Sequence, residues 1–166
     1  MAAAARRLAI NPFGDQYPDD NSTKEIMLQA DGLVAANPDD RHVLLRWTNG
    51  TDEEGHRYTQ IIHLSGGPGN YNFYTPQVKI HSEASRMANS FYVLGKYTRA
   101  QRDQITALAK AVQFNKQSRI NNCQTWMRSF LEGMVNACLL SPDMFYYVDA
   151  NVPLKKYIPE PEEYTA

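Results

Sequence analysis

Arg41-His42-Val43-Leu44-Leu45-Arg46-Trp47-Thr48 and Tyr58-Thr59-Gln60-Ile61-Ile62-His63-Leu64 are two runs of aliphatic, aromatic and β-branched residues, separated by the polar stretch Asn49 to Arg57. Such a pair reads as an antiparallel hairpin. If Trp47 faces Tyr58 across the ladder, then His42 faces His63, because both pairs have the same index sum. In that register the two imidazoles are cross-strand neighbours on one face, with Cβ atoms about 5 Å apart. One can then act as a base and the other as its orienter. A slip of one residue would send them to opposite faces.

Outward from the hairpin, Ser65-Gly66-Gly67-Pro68-Gly69-Asn70 ends the second strand as a tight turn beside a pocket. It lacks the Gly-Lys-Ser/Thr ending of a phosphate-binding loop. Residues 77–81 and 90–97 read as further strands, so the first half predicts an antiparallel sheet. Thr98-Arg99-Ala100-Gln101 has the form of a capping box before Ile105, Leu108, Ala109 and Val112, which predicts a helix over 99–113. Asn121 or Asn122 caps a second helix, whose apolar stripe runs through Trp126, Met127, Phe130, Leu131, Met134, Val135 and Cys138. Ser141-Pro142 starts a third. The fold class is therefore α+β, an antiparallel sheet packed against helices. Residues 1–40 read as an irregular arm in which Lys24 to Leu28 is a short strand or helical turn. Residues 41–151 read as a single domain, and 152–166 as a surface tail.

The 166 residues are 43% apolar and 21% charged with a formal net charge of −1, ordinary globular values that supply no field to gather nucleic acid or anionic lipid. The basic residues that accompany the first helix, Arg99, Arg102, Lys110, Lys116 and Arg119, are interleaved with acidic and polar ones and read as a solvated face. No stretch approaches the roughly 20 apolar residues of a membrane span, and the first ten residues have no signal-peptide core. A cytoplasmic protein with no nucleic-acid partner and no stable membrane anchor is expected. Cys123 and Cys138, if on one helix, stand about 22 Å apart. A disulfide between them is excluded. Two thiols also fall short of a structural zinc site, so no metal is expected.

Cys123 falls in the first turn of the second predicted helix, where unpaired backbone N–H groups and the helix dipole stabilise a thiolate. The same N–H groups can donate to an oxyanion formed when sulfur attacks a carbonyl. The alternative is a small buried residue beside a cap. A nucleophilic Cys needs a base placed by a third polar group, and His42 with His63 supplies one. His56 lies in the hairpin loop and His81 at a strand end, both expected exposed or structural. Cys138, on the apolar stripe, is expected to be a core packing residue.

A strand opened by His42, a second strand ending Ile61-Ile62-His63-Leu64, and Asn122-Cys123 opening a later helix together resemble the circularly permuted papain-like thiol enzymes. That group contains the lecithin:retinol acyltransferase relatives and the PPPDE peptidases. The likeness covers about residues 40–140, and this chain differs from the acyltransferase relatives at Val43 and at Gln124-Thr125-Trp126. The resemblance implies Cys123 as nucleophile, His42 as base and His63 as third member, with the Cys at a helix N-terminus. Asn122, Gln124, Trp126, Trp47, Gly66 and Gly67 are the expected substrate-contacting residues. It implies a hydrolase or acyltransferase that acts on an amide, ester or thioester through an acyl-enzyme without a cofactor. The substrate would be a small molecule, a lipid-like molecule or a peptide. A non-catalytic binding module of the same fold, or a tailoring enzyme that isomerises or cyclises a small metabolite, are the rival readings.

Overall fold

The structure, a computed structural model, describes residues 10–33 and 41–161. Its centre is a five-stranded antiparallel sheet in the order β6-β3-β2-β1-β7. The strands are β1 (Lys24–Ala30), β2 (Val43–Thr51), β3 (Arg57–Ile62), β6 (Gln77–His81) and β7 (Ser90–Tyr97). A separate hairpin is made of β4 (Leu64–Gly67) and β5 (Asn70–Phe73). Four helices are described: α1 (Glu83–Ala88), α2 (Arg99–Ala111), α3 (Cys123–Asn136) and α4 (Pro142–Asn151).

Alternation along the strands decides what each face meets. Ile26, Leu28, Val43, Leu45, Trp47 and Ile62 join the helices in one core. The intervening residues Gln29, Arg46, Thr59, Gln77 and His81 are polar yet buried on the other face. α3 closes the core with Trp126, Met127, Phe130, Leu131 and Met134. Both expected capping devices form, Thr98 with Gln101 on α2 and Ser141 with Pro142 on α4. Asn122 rather than Asn121 caps α3.

The hairpin register differs from the expected one. Trp47 faces Gln60 and Leu45 faces Ile62, with a bulge between Thr48 and Gly50. The strands run on into a tight turn in which Asp52 and His56 bond through their backbones. The long loop assumed from the polar stretch is thus shorter than its composition suggests, and the ladder is displaced by two residues. Two residues is one full strand period, so His42 and His63 still share a face, as diagonal neighbours.

Three boundaries also change. Lys24 to Leu28 takes the strand alternative, but as part of β1 (24–30), an interior strand bonded to both β2 and β7 rather than a piece of an irregular arm. Residues 17–23 are held to α2 by Arg102, which is fully buried, pairs with both Asp19 oxygens at 2.9 Å and donates to the Ser22, Asp20 and Tyr97 carbonyls. The tail is packed at its start, with Val152 and Leu154 in the core. Further on, the Ile158 backbone exchanges two hydrogen bonds with the Asn121 carboxamide, and Glu160 bonds Ser118 and Asn115.

Cys138 is not on the apolar stripe. The helix ends at Asn136, and Cys138 is exposed with φ of +60°. Leu139 N–H donates to Met134 O and Cys138 N–H to Val135 O, the paired bonds of a Schellman ending, which needs a left-handed residue at this position.

Candidate active site

The Nε2 of His42 lies 2.9 Å from Nδ1 of His63, and His63 Nε2 lies 2.8 Å from Gln77 Oε1. Gln77 is buried, and its own Nε2 donates to the Ile10 carbonyl at 3.1 Å. These contacts fix the protons. An amide oxygen only accepts, so His63 carries its hydrogen on Nε2 and presents a bare Nδ1. His42 must then donate from Nε2, which leaves its Nδ1 as the basic atom. Burial holds the His42 pKa below its ordinary value. Burial, then the neighbouring His42, pushes His63 down to about 4. Both rings are neutral near pH 7, which the tautomer assignment requires.

Asp31 stands beside this pair, its N–H donating to the His42 carbonyl at 2.9 Å and its charge favouring protonation of both rings. Gln77 and Asp31 are the functional neighbours that sequence reasoning missed. Gln77 opens a strand expected at 77–81, and its diagonal position from His63 follows from the β3–β6 register, in which Ile61 faces Gln77.

The first turn of α3 grips the start of β2 on either side of His42. Gln124 Nε2 donates to the Arg41 carbonyl at 3.0 Å, and the Cys123 sulfur receives the Val43 N–H. The His42 carbonyl points to β1, so by strand alternation the Val43 N–H points the other way, toward β3. There the last ladder pair is Leu45 with Ile62, and the chain leaves for the β4–β5 hairpin. The thiol takes the Val43 N–H in the gap this departure opens and is half-buried.

The thiol is not poised as the helix position suggested. Burial pushes the Cys123 pKa up, and the N–H groups of Val43, Cys123 and Gln124 pull it only part of the way back. A helix start stabilises a thiolate best when water also reaches it, and here the desolvation outweighs the donors. The resting pair is a neutral thiol and a neutral imidazole.

The expected substrate-contacting residues take up varied places. The Asn122 side chain caps α3, accepting from the Gln124 and Thr125 N–H groups. Gln124 is buried and tied to Arg41. Trp126 is buried between Phe73 and Phe130. Trp47 is on the core face of β2, away from the imidazoles, with its Nε1 unpaired among the described residues. Gly66 and Gly67 belong to β4, and at Gly66, with φ of +97°, a Cβ would stand 2.1 Å from the Asn70 carbonyl oxygen. Their hairpin braces the approach to Cys123, since Gly69 N–H donates to Ser118 O and Tyr71 N–H to Lys116 O. His56 is exposed and bonded to Asp52, whereas His81 takes the structural alternative, buried at the end of β6.

Among the described residues no group of His, Cys, Asp and Glu is placed to hold a metal ion, and no helix is long and apolar enough to cross a membrane. The chain is an α+β protein with a polar relay on one sheet face and a thiol where a strand leaves that sheet. Comparison with protein-family models, with curated proteins and with solved structures found no match.

Proposed function

We infer that the chain is a thiol hydrolase or acyltransferase of the circularly permuted papain-like kind, with Cys123 as nucleophile, His42 as base and His63 as the group that orients it. The observation that carries this reading is the directed relay from Gln77 through His63 to His42, which leaves Nδ1 as the one basic atom of His42. The docking of α3 on Arg41 and Val43 supports it, since it seats the sulfur against the residue next to that imidazole.

The chemistry follows from a neutral starting pair. His42 Nδ1 takes the thiol proton as sulfur bonds to the carbonyl carbon, and the imidazolium is stabilised by its Nε2–H donated to His63 and by the charge of Asp31. The backbone N–H groups at the start of α3 offer donors to the oxyanion. Collapse of the intermediate breaks the bond to the leaving group, which receives the proton from His42 Nδ1, and leaves a thioester. Water or an amine then gives a proton to His42, attacks the thioester and releases the thiol. The test is intact-mass measurement after incubation with activated amides, esters and thioesters. A stable adduct mapped to Cys123, and lost in Cys123→Ala, is the expected result. No adduct with any donor leaves a non-catalytic module or a tailoring enzyme.

A further inference from the structure

The face that carries His42 and His63 continues along the sheet into a cavity of about 460 Å³, whose walls include Arg46, Thr59, Lys79 and His81. Arg46 is 4% exposed, and its guanidinium donates to the side chains of Gln29 and Thr59, both uncharged. No carboxylate pairs with it among the described residues. His81 is 8% exposed, and its Nε2 is buried with no hydrogen-bond partner there. Arg57 faces His81 across the β3–β6 ladder, and Arg86 of α1 adds a further positive charge to both groups. The one acid among the described residues of the cavity wall, Asp31, lies beside His42 and accepts from Gln29 Nε2 at 3.2 Å, so it reaches Arg46 only through that neutral amide.

A buried cation among cations, with neutral partners only, is costly, and so is a buried ring nitrogen with none. Their environment registers this strain, since burial with the charges of Arg57 and Arg86 lowers Arg46 to about 10, and burial with Arg46, Arg86 and Arg57 lowers His81 to about 4. One added group relieves both. We propose that the Arg46–His81 end of this cavity is a subsite for an anionic oxygen group, a carboxylate or a phosphate, of the molecule that the thiol site acts on.

Arg46 is four residues along β2 from His42, which places the anion about 13 Å from the reacting imidazole at the rise of a strand. That is the length of about four extended peptide residues. The substrate class is therefore an acyl compound with its negative group well removed from the carbonyl that is attacked, a short peptide with a free terminal carboxylate or a phosphorylated chain of similar reach. Only the word substrate rests on the thiol-enzyme reading; binding of the anion does not.

The test follows the ring signals of the four histidines by NMR in the full chain. Sodium acetate or inorganic phosphate is added while sodium chloride keeps the ionic strength constant. Saturable movement confined to His81, with its titration midpoint raised about tenfold in proton affinity by the bound anion, is expected. Preference for acetate assigns a carboxylate and preference for phosphate a phosphate ester. Arg46→Gln abolishes the effect. Should that variant fail to fold, Lys79→Gln and Arg86→Gln, both exposed, each weaken it about two- to threefold. No saturable change at His81, or equal movement of exposed His56, overturns the proposal. Anion binding without acylation of Cys123 by any donor rejects the thiol reading alone, and acylation without anion binding rejects the subsite alone.

Discussion

His42 and His63 are joined by a hydrogen bond of 2.9 Å although they are not opposite each other in the hairpin. Being diagonal, they meet edge to face, with ring planes at 76°. The bond has a direction because Gln77 supplies an oxygen behind it. A neutral amide here takes the part that a carboxylate would otherwise play.

Gln77→Leu removes that oxygen and leaves the His63 Nε2–H buried without an acceptor. Stability should fall by about 1–3 kcal/mol in urea unfolding. His63 is then free to adopt the other tautomer, which turns a hydrogen toward His42, so kcat should drop with KM little changed. Unchanged kcat would show that the relay has no part in turnover.

Substitutions along the chain of proton transfer should rank by role. Cys123→Ala eliminates the adduct, since a methyl group has no lone pair to donate. His42→Ala retains the sulfur but loses its proton acceptor. His63→Ala is milder, because an orienter fixes the tautomer and angle of the base. Full activity in both Cys123→Ser and His42→Ala would reject covalent thiol catalysis.

Alkylation should report the burial of the thiol. With its pKa raised, Cys123 should react with iodoacetamide on a pH midpoint at or above the ordinary ~8.5. Exposed Cys138 should be labelled first at pH 7, in peptide mapping. A low midpoint for Cys123 would instead indicate a preformed thiolate–imidazolium pair.

Stability should fall with acid through the histidines. His63 and His81 are held near pKa 4 in the fold, against about 6.5 unfolded. The unfolded chain therefore binds the extra protons between those values, and the stabilisation present above pH 6.5 is lost as pH falls toward 4. Each contributes on the order of 3 kcal/mol across that window. Exposed His56, raised by Asp52, acts with the opposite sign, losing its contribution as pH rises. Denaturant midpoints measured from pH 4 to 8 check the slope, which His81→Phe should reduce.

Two substitutions away from the site should separate strain from support. Cys138→Gly removes a side chain from a left-handed backbone position and should stabilise the chain by about 1 kcal/mol without touching the chemistry. Asp19→Ala leaves the fully buried Arg102 uncompensated and should cost about 3–5 kcal/mol. Thermal unfolding of both variants measures the contrast.

The sequence carried β2, β3, β6, β7 and the three long helices, because each has its own period or cap. It also put the two histidines on one face, although with the wrong partners, since a displacement of two residues preserves the side. β1 was harder to read: Ile26, Leu28 and Ala30 alternate, but flanking Asp, Asn and Ser make the region look like loop. Cys138 was misread because an apolar stripe does not say where the helix stops. The Gln77 contact depends on pairing between strands distant in the chain, and the raised thiol pKa depends on burial, neither of which local spacing encodes.

The position of β1 also sets an order of assembly. Residues 24–30 pair on one side with β2 close behind them, and on the other with β7, more than sixty residues later. During synthesis, β1, β2, β3 and β6 are complete once His81 has emerged, so the imidazole relay can form early. The second edge of β1 then stays open, with Ile26 and Leu28 on a strand paired on one side alone, until Tyr97 arrives. An exposed apolar edge of this kind is an invitation to pair with another chain. Slow translation between residues 82 and 97 would prolong that interval, and Cys123, later still, joins a sheet already built to receive it.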